Sequence, residues 1–156
     1  MPHEIPLSDL CPDDRFGIVV SHYNESVTKR LMNGAVEKLH SLGVQDTAID
    51  IAWVPGAWEL PVVAQRMAMS RRYAAVICLG AVIRGETTHD QHINRAVSGA
   101  LSQIALEQDL PVLFGLLTCQ TLEQAIHRAG GNAGNKGVEC AEAAIQMVRL
   151  LKNIPT

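Results

Sequence analysis

The chain has 156 residues, 47% of them hydrophobic, and a formal net charge of −3. That length and apolar content suit one domain with a buried core and exclude a disordered chain. The slight acidity argues against nucleic acid or an anionic membrane as the main partner, whereas a small anionic substrate needs only a local cluster of donors.

The opening stretch MPHEIPLSDLCPDDR is acidic and proline-spaced. It has neither the basic start nor the apolar run of a signal peptide, and no later run is long enough to span a membrane. An N-terminal arm over residues 1–14 and a single domain over 15–156 are expected, in a cytoplasmic protein. RFGIVVS (Arg15–Ser21) is a short β-branched run and reads as a buried strand. A helix follows over Glu25–Leu42, with Val27, Leu31, Ala35, Leu39 and Leu42 on one face and Gly43 as its stop. AIDIAWV (Ala48–Val54) is the second strand, broken by Pro55-Gly56, and a helix runs over Glu59–Ser70. YAAVICLGAVI (Tyr73–Ile83) is the third strand, followed by a long helix over His89–Asp109. PVLFGLLT (Pro111–Thr118) is the fourth. Thr121–Gln124 has the form of a capping box and opens a short helix to Arg128. GGNAGNKG reads as a flexible glycine turn, and a last helix reaches Lys152 with Val138, Ala141, Ile145, Val148 and Leu151 toward the core.

Apolar strands alternating with helices mean a parallel sheet covered on both faces and joined by right-handed crossovers. Cys11, Cys78, Cys119 and Cys140 form no C-x-x-C pair, so reduced thiols are expected rather than zinc or a disulfide frame. In such folds ligands collect at the carboxyl ends of the strands. That rule points to SHYNES, VPGAWE, IRGETTH and LTCQT.

Each of these ends carries chemistry. Tyr23, Trp58 and Phe114 can sandwich a flat ring, or they are core aromatics. GETTH puts a glycine and hydroxyls at a helix start, where free N–H groups favour a phosphate; plain N-capping by Thr87 or Thr88 is the other reading. Arg128 and Lys136 can supply counter-charge, or are solvated surface. His89 at the mouth of this site suits general acid–base work, or is an ordinary helix-start histidine. His89 and His92 can share a metal only with a third ligand, which the sequence does not supply. No activated Ser or Cys is visible, and Lys136 in its glycine-rich setting is a poor Schiff-base lysine. If the chain is an enzyme, the nucleophile belongs to the substrate.

FGIVVSHYNE, IDIAWVPGAWELPVVA, YAAVICLGAVIRGETTH, PVLFGLLT, LEQAIHRAG and AGNKGVECAEAAIQM, in this order and spacing, resemble the lumazine synthase family from Arg15 to Lys152. The resemblance implies a flavodoxin-like three-layer α/β sandwich with a central four-stranded parallel sheet and an N-terminal arm strand. It implies a transferase of riboflavin biosynthesis. Members condense 5-amino-6-(D-ribitylamino)uracil with 3,4-dihydroxy-2-butanone 4-phosphate, releasing phosphate and water, with no metal and no cofactor. It assigns Tyr23 to stacking on the pyrimidine, Ala57, Trp58 and Glu59 to the pyrimidine and its ribityl chain, and Ala81, Val82 and Ile83 to backbone contacts with the ring. Glu86, Thr87 and Arg128 fall to the butanone phosphate, with Thr88 and Lys136 in support. Phe114 comes from a neighbouring subunit, and His89 is the proton donor.

The chain departs from the family's usual pattern in a few places. Asp90 and His92 stand where aromatics are usual after the histidine. Tyr23 and Trp58 replace the commoner phenylalanines, and Asn132 a frequent lysine. The resemblance further implies pentamers with shared sites and, because the GGNAGNKG turn lacks an insertion, a shell of twelve pentamers, with riboflavin synthase a further candidate partner. Two other readings are a non-catalytic flavin or lumazine carrier, which would bind the pyrimidine and form no product, and a flavodoxin-like signalling module. The latter wants an acidic pair at the first strand end, where SHYNE has only Glu25.

Overall fold

The computed structural model describes residues 1–131 and 133–156. Its elements are β1 (Phe16–Ser21), α1 (Glu25–Ser41), β2 (Ile49–Val54), α2 (Leu60–Met69), β3 (Ala75–Ile83), α3 (His89–Gln108), β4 (Val112–Cys119), α4 (Leu122–His127), β5 (Ala129–Gly131), β6 (Gly134–Asn135) and α5 (Lys136–Leu151). The first four strands form one parallel sheet in the order β2-β1-β3-β4. Successive residues of a strand point their side chains to opposite faces of the sheet. Phe16, Ile18 and Val20 therefore join the core under α1 and α5, while Val19 joins the one under α2 and α3. This is the expected flavodoxin-like sandwich. The chain winds outward from β1 to β2, then returns to place β3 on β1's other side, so the loops after β1 and β3 diverge and leave a crevice between them.

The structure differs from expectation where pattern alone cannot see packing. Leu42 is 40% exposed, not on the core face. The chain leaves the helix there in a Schellman turn, Val44 N–H to Leu39 O and Gly43 N–H to His40 O, with Gly43 at φ +96°. Val44 takes the buried place instead. β2 is an edge strand, and Ile51 is 42% exposed. The glycine turn contains a small antiparallel pair, β5 with β6, in which Gly130 and Gly134 take φ of +108° and +86°. Asn132 lies outside the described residues. Residues 1–10 form no strand; the arm lies along the end of α5, with Ser8 N–H donating to Arg149 O and Arg149 Nε to Ser8 O.

Asn135 fixes the start of α5. Its Oδ1 caps Gly137 and Val138 N–H, and its Nδ2 reaches across to Arg30 O on α1 at 3.1 Å. Gly137 makes this closeness feasible, since a Cβ there would stand 1.9 Å from Leu31 O. Gly137→Ala forces α1 and α5 apart and should destabilise the fold by roughly 1–3 kcal/mol or more. A thermal melt tests it; an unchanged midpoint would contradict the contact.

The amino ends of the strands are locked by a polar cluster. Asp50 Oδ2 accepts from Tyr73 OH at 2.6 Å and from Arg15 Nη2 at 2.9 Å. The Tyr73 hydrogen bond, then the Arg15 bond and charge, hold the Asp50 carboxyl below its ordinary value against a smaller opposing effect of burial. A lowered folded-state value stabilises above the unfolded-state value, near pH 4, and that stability is lost as pH falls through the folded one. Asp50→Asn should therefore melt earlier than the parent at neutral pH, with the gap closing as pH falls below about 4. A gap that persists into acid would show that shape, not charge, holds the cluster.

Candidate active site

The crevice between β1 and β3 opens into a cleft of about 440 Å³. Its first wall is the β1–α1 turn, carrying Tyr23 and Asn24. Here His22 N–H bonds Val54 O and Tyr23 N–H bonds Pro55 O, so this turn is tied to the end of β2. The second wall is Gly56–Glu59. Pro55 ends β2, and Gly56 lets the chain pass close to the Tyr23 ring, since a Cβ would lie 3.1 Å from Tyr23 Cδ2. Glu59 turns its Oε1 back to accept Gly56 N–H at 2.9 Å, which leaves the other carboxylate oxygen for a ligand. The floor is Ala81, Val82 and Ile83 at the end of β3, and the third wall is His89 and Ile93 on α3.

Tyr23 is 73% exposed and Trp58 63%. Core aromatics would be hidden, so this pair is not part of the core. A larger groove of about 610 Å³ lies between α2 and α3, with Trp58 on its rim. It lacks the convergence of a carboxylate, a histidine and a strand end that a polar ligand needs, and the smaller cleft has all three.

Beyond the floor the chain enters GETTH. Thr87 Oγ1 accepts His89 N–H at 3.3 Å, while the Thr88 side chain makes no cap bond. Residues Arg84–His89 are exposed, but Asp90 is only 8% exposed. It continues the sheet-facing stripe of Val97, Leu101 and Ile104, and its Oδ1 has no hydrogen-bond partner among the described residues. Arg128 stands close enough to Cys119 for its charge to act on that thiol. Burial pushes the Cys119 thiol up and Arg128 draws it partly back. Cys119 pairs with Ile83, so Arg128 lies toward the same end of the sheet as the cleft floor. Lys136 N–H bonds Arg128 O at 2.8 Å, which sets the two residues side by side along the chain path. Among the described residues no three His, Cys, Asp or Glu side chains are grouped to hold a metal.

The sequence model of the 6,7-dimethyl-8-ribityllumazine synthase family matches residues 13–152. The chain belongs to this family. Proteins named 6,7-dimethyl-8-ribityllumazine synthase from two strains of Coxiella burnetii, CbuG_Q212 and RSA 493 / Nine Mile phase I, are each 51% identical to it over 140 residues, covering 90% of this chain and 93% of the relative. Its activity is accordingly that of a lumazine synthase, a transferase of riboflavin biosynthesis.

The cleft brings together eight of the residues that the family resemblance assigns to the site: Tyr23, Ala57, Trp58, Glu59, Ala81, Val82, Ile83 and His89. Phe114, Glu86, Thr87, Thr88, Arg128 and Lys136 do not line it in this one chain. Asn24, Gly56 and Ile93 do line it and were not foreseen. Gly56 was legible as the break after β2. Ile93 follows one helical turn after His89, a spacing that shares a face. Asn24 had no hydropathy signal.

Proposed function

We propose that the cleft binds 5-amino-6-(D-ribitylamino)uracil and that the GETTH turn with Arg128 holds 3,4-dihydroxy-2-butanone 4-phosphate beside it. The observation that carries this reading is the convergence of Tyr23, Trp58, the backbone end of β3 and His89 in one cleft of a lumazine synthase. Tyr23 stacks on the pyrimidine, Ala57 and Ala81–Ile83 meet its edge, and Trp58 and Glu59 meet the ribityl chain. The substrate amine attacks the ketone, water leaves as the imine forms, and the imine then loses phosphate. The second amine then closes the ring with release of water. Glu86 and Thr87 meet the phosphate substrate through main chain and hydroxyl, Thr88 and Lys136 support them, and His89 moves the protons. Holding two reactants in attacking geometry is worth up to roughly 7–11 kcal/mol, which makes templating the larger part of the catalysis.

The site as one chain forms it is open, with Tyr23 and Trp58 exposed and Phe114 at 38% exposure on β4. These features favour pentamers in which a neighbour's Phe114 closes the cleft. The short turn before α5 favours further packing into a shell of twelve pentamers, with riboflavin synthase as a candidate partner. The outer edge of β2 is available for a strand from a neighbour's arm, residues 1–14, which then stands apart from a domain over 15–156. Four free cysteines fit action in the cytoplasm. Mixing the chain with both substrates while recording lumazine absorbance, and measuring its mass by light scattering, tests the reading. Product formation at a pentamer mass or above is expected. Pyrimidine binding without product would leave only a carrier, and an active monomer would remove the shared site.

A further inference from the structure

Asn24 has an unusual geometry. It is one of three described non-glycine residues at positive φ, with φ 59° and ψ 46°. It also occupies the N-cap of α1, where an asparagine side chain ordinarily accepts a hydrogen bond from the first turn of its own helix. Here it makes no such bond; Val27 and Thr28 N–H groups bond the Asn24 main-chain oxygen instead. The side-chain amide is directed away from α1, and its Nδ2 donates to Ala81 O at 2.9 Å.

The register of the sheet explains what that bond does. β1 pairs with β3 only as far as Val20 opposite Leu79, whereas β3 pairs with β4 up to Ile83 opposite Cys119. Gly80–Ile83 thus has a strand neighbour on one side only. The open side of that segment is the floor of the cleft. Asn24 supplies one amide where β1 has ended, and so satisfies the Ala81 carbonyl as a further strand residue would. Backbone groups on one side of a strand recur every second residue. With the Ala81 carbonyl occupied, the groups left facing the cleft are the Ala81 N–H and those of Ile83.

We propose that Asn24 is a positioning residue for the pyrimidine. It acts as a one-residue substitute for β1, taking the first free carbonyl of β3 so that the backbone beyond it is presented, in fixed orientation, to a ring edge of alternating carbonyl and N–H groups. Its left-handed backbone also sets the direction of Tyr23, the adjacent stacking ring. This inference rests on the assignment of the cleft to the pyrimidine.

Two variants test it by steady-state kinetics and thermal melting. Asn24→Asp keeps the size and tolerates the left-handed backbone, yet has no amide to donate and turns oxygens toward the Ala81 carbonyl. Its KM for the pyrimidine should rise roughly tenfold or more, with the KM for the butanone phosphate within about twofold of the parent. Asn24→Gly keeps the backbone and deletes the amide, and should show the same split between the two KM values. Melting temperatures of both variants should stay close to that of the parent. An active parent with unchanged pyrimidine KM in the Asp variant overturns this proposal alone. A large fall in melting temperature with both KM values rising together also overturns it, because it marks a folding role. A parent that forms no product overturns the catalytic reading and this proposal with it.

Discussion

Arg128→Ala should raise the KM for the butanone phosphate by roughly 10²-fold and leave the affinity for the pyrimidine almost unchanged. Hydrogen bonds to charged groups are worth about 1.5–3 kcal/mol, and a guanidinium adds bidentate geometry that lysine lacks. Arg128 follows α4, which Thr121 starts by accepting Gln124 N–H at 3.2 Å, and its own N–H still bonds into that helix. Its carbonyl receives Lys136 N–H, so the backbone is held from both directions. Truncation at Cβ should therefore remove the charge without moving the chain. Calorimetric titration with inorganic phosphate gives the direct measure, and equal affinity in variant and parent would refute the assignment. Arg128→Lys should recover only part of the loss, because an ammonium is a point charge.

The second large effect is expected at His89. His89→Ala should lower kcat by about 10²-fold, the low end for general acid–base catalysis, because the reaction retains the benefit of templating. Pyrimidine binding should persist, since Tyr23, Glu59 and the β3 floor are untouched. His89 donates its N–H to Thr87 Oγ1 as the first residue of α3, a bond that alanine also makes, so the helix start should survive. Binding of the pyrimidine measured alone, beside turnover with both substrates, separates the two effects. Unchanged turnover would mean that solvent or His92 carries the proton. A loss of binding equal to the loss of rate would make His89 a wall of the cleft.

Much of this was written in local patterns. β-branched runs, with Pro55-Gly56 ending the second of them and Gly43 ending the first helix, gave the elements of a parallel sheet, and the rule that ligands gather at strand ends pointed to the loops that border the cleft. What stayed hidden depends on contacts between distant residues. Leu42 has the right helical phase for the core, but Gly43 ends the helix and Val44 takes the space. In the sequence Asp90 is only a departure from the family's usual aromatic, yet its phase along α3 carries it under the helix with Val97 and Leu101. Asn24 looks like any N-cap asparagine, and only the different lengths of the β1–β3 and β3–β4 ladders give its amide another use. The pairing in the glycine turn was invisible because, of its strand residues, only Ala129 is buried, too little for periodicity to register.

The two tryptophans are Trp53 and Trp58. Trp53, on the last turnings of β2, stacks on His22 with ring centroids 4.7 Å apart, and His22 in turn lies 2.7 Å from Glu25. Trp58 stands on the cleft wall. Neither lies in the amino-end lock of Arg15, Asp50 and Tyr73, nor along the α1–α5 seam at Gly137. Tryptophan emission from this chain is therefore a local gauge. It reads the carboxyl edge of the sheet, where an imidazole can quench one indole and a bound ring can shade the other, while circular dichroism reads the helices as a whole. An optical melt that ran ahead of the dichroic one would register the cleft coming apart over a sheet that is still intact.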